Sequence, residues 1–86
     1  MPRFYFHMQT DTRHTDVDGA HYDTYAEARK AAIQTCGQMM QDTPETFWGS
    51  RPWSVTVTDD AGLIMWEIQL DGQSTAASRR LEGQRA

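Results

Sequence analysis

The most constraining feature of this chain is the run WSVTVTDDAGLIMWEIQL, residues 53–70. Its first part alternates Trp53, Val55 and Val57 with Ser54, Thr56 and Thr58, and apolar/polar alternation of period two reads as a half-buried strand. In the second part Ile64, Trp66, Ile68 and Leu70 share one face. Between them, Asp59, Asp60, Ala61 and Gly62 form a turn, with Gly62 at a position that favours positive φ. The run therefore predicts a hairpin with one apolar face. A lone hairpin is marginal in water, so other elements must cover that face.

The cover is legible upstream. In TYAEARKAAIQTCGQMMQ, Tyr25, Ala28, Ala32, Cys36 or Thr35, and Met39 recur at steps of three and four, a helical stripe. Thr24 followed by Glu27 matches a capping box, so the helix starts at Thr24 or Tyr25. Asp42-Thr43-Pro44 stops it, because the residue before a proline is pushed out of the helical region. Gly37 is the weak point: a glycine inside a helix costs ~1 kcal/mol relative to alanine. It is kept inside because Met39 and Met40 continue the period. The small stripe of Ala28, Ala31 and Ala32 suits close approach to a sheet bearing large side chains.

Those large side chains come from the N-terminal segment. Phe4, Phe6 and Met8 alternate with Arg3, Tyr5, His7 and Gln9, which reads as a strand. A short return strand is expected around residues 20–22. The order ββαββ predicts an α+β domain of two layers: an antiparallel sheet of three to four strands with one helix packed on one face. Residues 1–70 form this single domain. Residues 45–52 read as a loop, and residues 71–86, nearly devoid of apolar side chains, read as a mostly disordered tail.

Composition agrees with one small core. The chain has 86 residues, 38% of them hydrophobic, but these include three Trp, three Tyr, three Phe and five Met. Cys36 is the sole cysteine, so no intramolecular disulfide forms, as expected for a reducing compartment. The first ten residues lack the apolar run of a signal peptide, and no segment approaches the ~20 apolar residues of a membrane span. A cytoplasmic location with no membrane contact follows as an expectation.

Residues MPRFYFH, the D-x-D-G of Asp16 to Gly19, the capped alanine-rich helix and the VTDDAG of the hairpin occur in that order. Together they resemble a family of small uncharacterised bacterial proteins that begin Met-Pro-Arg, then aromatics and His. The resemblance covers about residues 1–70, without the TFWGSRPW segment or the tail. It implies a shared fold and carries no established activity.

Function is narrowed mainly by exclusion. DTRHTDVDGAHYD, residues 11–23, looks like part of a calcium loop, but aligning Gly19 with the loop glycine puts His14 at the first ligand position and Tyr25 at the twelfth. Calcium needs oxygen ligands there, the last one bidentate. His7, His14 and His21 recur every seven residues, without the close pairs that zinc sites use. Cys36 lies on the apolar or border face of the helix and reads as a small hydrophobe. Ser50 and Ser54 lack a nucleophile-elbow context. No catalytic residue, metal ligand or cofactor is assigned, and the chain is read as a non-enzyme.

Nucleic acid is disfavoured by charge. Arg79, Arg80 and Arg85 against Asp71 and Glu82 make the tail +1, which leaves −5 on residues 1–70 of a chain whose net charge is −4. Phosphate backbones draw most of their affinity from Lys and Arg. What remains is the face of the sheet away from the helix, where Tyr5, His7, Leu63 and Met65 fall. Either residues 45–53, with Phe47 and Trp48, cover it, or a second subunit does. Tyr5, His7, Trp48 and Met65 are the candidate interaction surface of a protein-binding domain, with a homodimer as one form of it. The alternative is a small-ligand or metal-binding domain using His7, His21 and Asp16.

Overall fold

A computed structural model describes residues 2–84. The strands are β1 (Arg3–Gln9), β2 (Arg13–His14), β3 (Ala20–His21), β4 (Trp53–Thr58) and β5 (Ile64–Leu70). The helices are α1 (Tyr25–Asp42), α2 (Pro44–Ser50) and α3 (Ala76–Gln84). The expected α+β class is present, as one antiparallel sheet of five strands ordered β2-β1-β4-β5, with β3 also paired to β1. Two helices were not expected from the sequence: α2 replaces the loop foreseen at residues 45–52, and α3 lies within the tail foreseen as mostly disordered. Pro44 explains the first, since proline at the opening position of a helix gives up an N–H that would be unpaired anyway. In α3, Ser78 is half-buried while Arg79, Arg80 and Leu81 are exposed; Arg85 lies outside the described residues.

The core is the predicted contact of small helix against large strand. Ala28, Ala32 and Cys36 of α1 meet Phe4 of β1 and Val55 and Val57 of β4, all buried. Trp66 joins from β5, its ring centroid 5.9 Å from that of Phe4. Burial pushes the Cys36 thiol up from its ordinary pKa, as fits a core side chain. Phe47 of α2 stands edge-on to Trp53 at 5.3 Å, extending the core beyond the end of α1.

Local signals hold at the joints. Thr24 caps α1, its Oγ1 accepting the Glu27 N–H at 3.1 Å. Gly37 sits inside α1 with open space where a Cβ would go, so the helix runs through it. The hairpin turn is tied by Asp59, whose Oδ1 accepts the N–H groups of Ala61 and Leu63, each at 2.9 Å. Gly62 takes φ 82° there, as the turn requires.

One detail of β5 changes which residues share a face. Val57 pairs with Trp66 but Thr58 pairs with Ile64, so Met65 is an extra residue, a β-bulge. The sequence alternation put Ile64 with Trp66. The bulge instead sets Ile64 on the face of Thr58, 60% exposed, and turns Met65 to pack against the core cluster.

Candidate interaction surface

The two outer edges of the sheet are built differently. On the β1 side, β2 pairs with Met8 and Gln9 while β3 pairs with Arg3 and Phe4. Between these pairings Phe6 N–H has no strand carbonyl; the Asp16 carboxylate takes that place, its Oδ2 accepting at 3.1 Å. Oδ1 of the same carboxylate accepts the N–H groups of Asp18 and Gly19, each at 3.1 Å. Asp16 thus makes an Asx turn and seals a gap in the ladder at once. Burial opposes its charge, yet the N–H groups of Gly19, Phe6 and Asp18, with His7 nearby, hold its carboxyl below the ordinary value.

The face of β1 away from α1 grips this loop with every alternate residue. Arg3 donates from Nη1 to the Asp18 carbonyl, and from Nη2 to His21 Nε2 at 2.8 Å. The Tyr5 and His7 rings are parallel to within 6°, centroids 6.5 Å apart. His7 Nδ1 accepts the Asp16 N–H at 3.2 Å, so in the neutral ring the proton lies on Nε2, which donates to Thr58 Oγ1 at 3.1 Å. Gly19, at φ 67°, passes so close that a Cβ would stand 2.8 Å from the Phe4 carbonyl oxygen and 2.9 Å from the Tyr5 ring.

The β5 edge carries no strand partner among the described residues. The ladder's own alternation shows which backbone groups it presents. Phe6 N–H points away from β4, so Tyr5, His7 and Gln9 bond to Thr58, Thr56 and Ser54. Trp53, Val55 and Val57 then turn their backbone groups to β5, where they meet Leu70, Ile68 and Trp66. Glu67 and Gln69 are left facing outward. Glu67 is the sole charge in IMWEIQL, which holds no proline.

Above this edge runs one flank of α1. Tyr25, Arg29 and Ile33 are spaced four apart on it. Tyr25 meets Trp66 edge-on at 6.5 Å, and the Arg29 guanidinium lies 5.8 Å from the Trp66 ring. Tyr25 and Ile33 are each 56% exposed. The opposite flank, with Thr35 and Met39, looks toward β2. There an open groove of about 500 Å³ has a floor of Met8, Met39 and Trp53 and a rim that includes Asp11, His14 and Asp42.

The four surface residues foreseen from sequence do not form one patch. Tyr5 and His7 are neighbours, but their rings face each other and His7 is held between the Asp16 N–H of the loop and Thr58 of β4. Met65 is drawn to the core side by the bulge. Trp48 lies on α2 near Gly72, whose Cβ, if it had one, would come 2.8 Å from the indole. Arg51 stacks 3.7 Å over the same indole and donates to the carbonyls of Gly72 and Trp48. Trp48 thus clamps the end of β5 to α2, at the Trp53 end of the sheet, whereas Tyr5 pairs at the Thr58 end. The outward position of Glu67 and Gln69 and the exposure of Tyr25 and Ile33 beside them were not legible in the sequence, because strand order was not; the lack of proline and lysine in IMWEIQL was the available signal.

The chain belongs to the family described as "Domain of unknown function (DUF6894)", matched over residues 3–71. That agrees with the resemblance to a small uncharacterised family, and the match runs through the TFWGSRPW segment. No curated protein and no solved structure matches the chain. No described helix is long and apolar enough to cross a membrane.

Proposed function

We propose that this protein is a small cytoplasmic binding domain, not a catalyst, which works by accepting a strand from a protein partner along the outer edge of β5. The observation that carries this reading is the seven-residue edge itself, open on one side, with one charge and no proline. Sheet edges of that kind are templates for further pairing, and proteins that do not use them usually blunt them with proline, lysine or cover. Main-chain bonds from Glu67 and Gln69 would give affinity, and side-chain contacts would give specificity. The half-exposed Tyr25 and Ile33 beside the edge add apolar surface of the type that interfaces bury.

The test is a photo-crosslinking residue at position 69, with position 60 in the hairpin turn as control. Protein adducts from 69 well above those from 60, in cells that make the protein, are expected. Equal or absent adducts overturn the reading. The metal-binding alternative has less support, since Asp16 and both ring nitrogens of His7 are engaged by the fold.

A further inference from the structure

We infer that the strand added to β5 is the β5 of a second copy, antiparallel across a two-fold axis at Ile68. This rests on the binding reading above and names its partner. The argument begins with register. Outward backbone groups belong to Glu67 and Gln69, so a two-fold axis through these residues can pass at Glu67, Ile68 or Gln69. An axis at Glu67 would set two carboxylates directly opposite each other, which is unfavourable. An axis at Gln69 would set Glu67 against Asp71, two carboxylates again. An axis at Ile68 sets Glu67 against Gln69 of the second copy, twice, and each carboxylate then faces an amide that can donate to it. The same register places Trp66 opposite Leu70 and Ile68 opposite Ile68 on the α1 face. It satisfies every outward N–H and C=O of Glu67 and Gln69.

The side chains point the same way. A two-fold interface must be self-complementary, because one patch meets itself. Tyr25 and Arg29 of the α1 flank lie against Trp66, beside the axis, so pairing brings both copies' flanks to one seam. Tyr25 and Ile33 are half-exposed in the single chain and lose water there. The body's acidity does not oppose this, because the edge carries only Glu67 and the flank above it carries Arg29. The β1 edge is unsuited to the same pairing: its N–H at Phe6 is already taken by Asp16.

Sedimentation equilibrium of the purified full chain over micromolar to millimolar concentration reads the association. A dimer is expected. Gln69→Pro should make it monomeric without altering the circular dichroism spectrum, because that N–H faces away from β4 and an edge strand tolerates proline there. Gln69→Lys should tighten the dimer and Gln69→Glu weaken it, each by roughly tenfold, since the pair with Glu67 occurs twice. A monomer at every concentration, a dimer that survives Gln69→Pro, or Lys and Glu variants that shift affinity in the same direction would each overturn the inference. If the purified chain is monomeric while position 69 crosslinks to a different protein, self-pairing fails and the binding reading stands. If position 69 also gives no adduct, both fail.

Discussion

The β1 edge and the β5 edge of this sheet solve the same problem in opposite ways. Both end in backbone N–H and C=O groups that need partners. At β1 the chain supplies them itself, with two short strands and, in the gap between them, a carboxylate. At β5 it supplies none among the described residues. The difference teaches that the D-x-D-G stretch is edge protection: its glycine allows the close approach and its first aspartate replaces a missing carbonyl. Against an edge defended with that much local structure, β5 is the open edge of the sheet among the described residues.

The comparison can be broken first at Gly19. Gly19→Ala forces a Cβ into the Phe4 carbonyl and the Tyr5 ring at positive φ, and should cost about 2–4 kcal/mol by chemical denaturation. A loss below about 0.5 kcal/mol would mean that the loop is not held against β1 as described.

Asp16→Ala comes next. It leaves the Phe6 N–H without its acceptor and should cost about 1–3 kcal/mol. The acid dependence follows from sign. The folded-state pKa of Asp16 is lowered, so its contribution is fully present above the unfolded pKa and is lost as pH falls through the folded value. The stability gap between wild type and Asp16→Asn should therefore be constant near neutrality and narrow below the ordinary carboxylate range. A gap that persists at pH ~2 would remove the charged-carboxylate account.

A calibration away from both edges is Gly37→Ala. The site is exposed, helical and open, so about 1 kcal/mol of stabilisation is expected in thermal or denaturant unfolding. The smallest expected effect is at the open edge. Gln69→Pro should change the stability of the single chain by no more than about 0.5 kcal/mol, whereas Ile68→Pro, which removes a bond to β4, should be severely destabilising. Equal losses from the two would show that the outward assignment of Gln69 is wrong.

Much of this molecule was legible in residue order. The cap at Thr24, the helix through Gly37 and the turn at Asp59–Gly62 rest on contacts between near neighbours, and the strand at Arg3–Gln9 carries its own period-two signal. The α2 helix was missed because its seven residues carry two large aromatics and a glycine, too few for a periodic pattern, although Pro44 marks its start. That Tyr5, His7, Trp48 and Met65 do not share one patch has a different reason. Alternation puts Tyr5 and His7 on the face away from α1 and leaves its cover open between residues 45–53 and a second subunit; it says nothing about the loop at Asp16–Gly19, which folds back against them.

By itself, then, the sequence determined the class of fold, the apolar faces of β1 and β4 and of β5 from Trp66 onward, and the small-on-large contact that makes the core. These depend on period and side-chain size, which a single chain displays without its neighbours. The tertiary structure alone decided that β1 and β4 are central and β5 is outermost. It also decided that a bulge at Met65 moves Ile64 onto the open face, and that Asp16 reaches Phe6 across ten residues of chain. Those depend on which backbone groups find partners, and pairing across the sheet is a property of the whole arrangement.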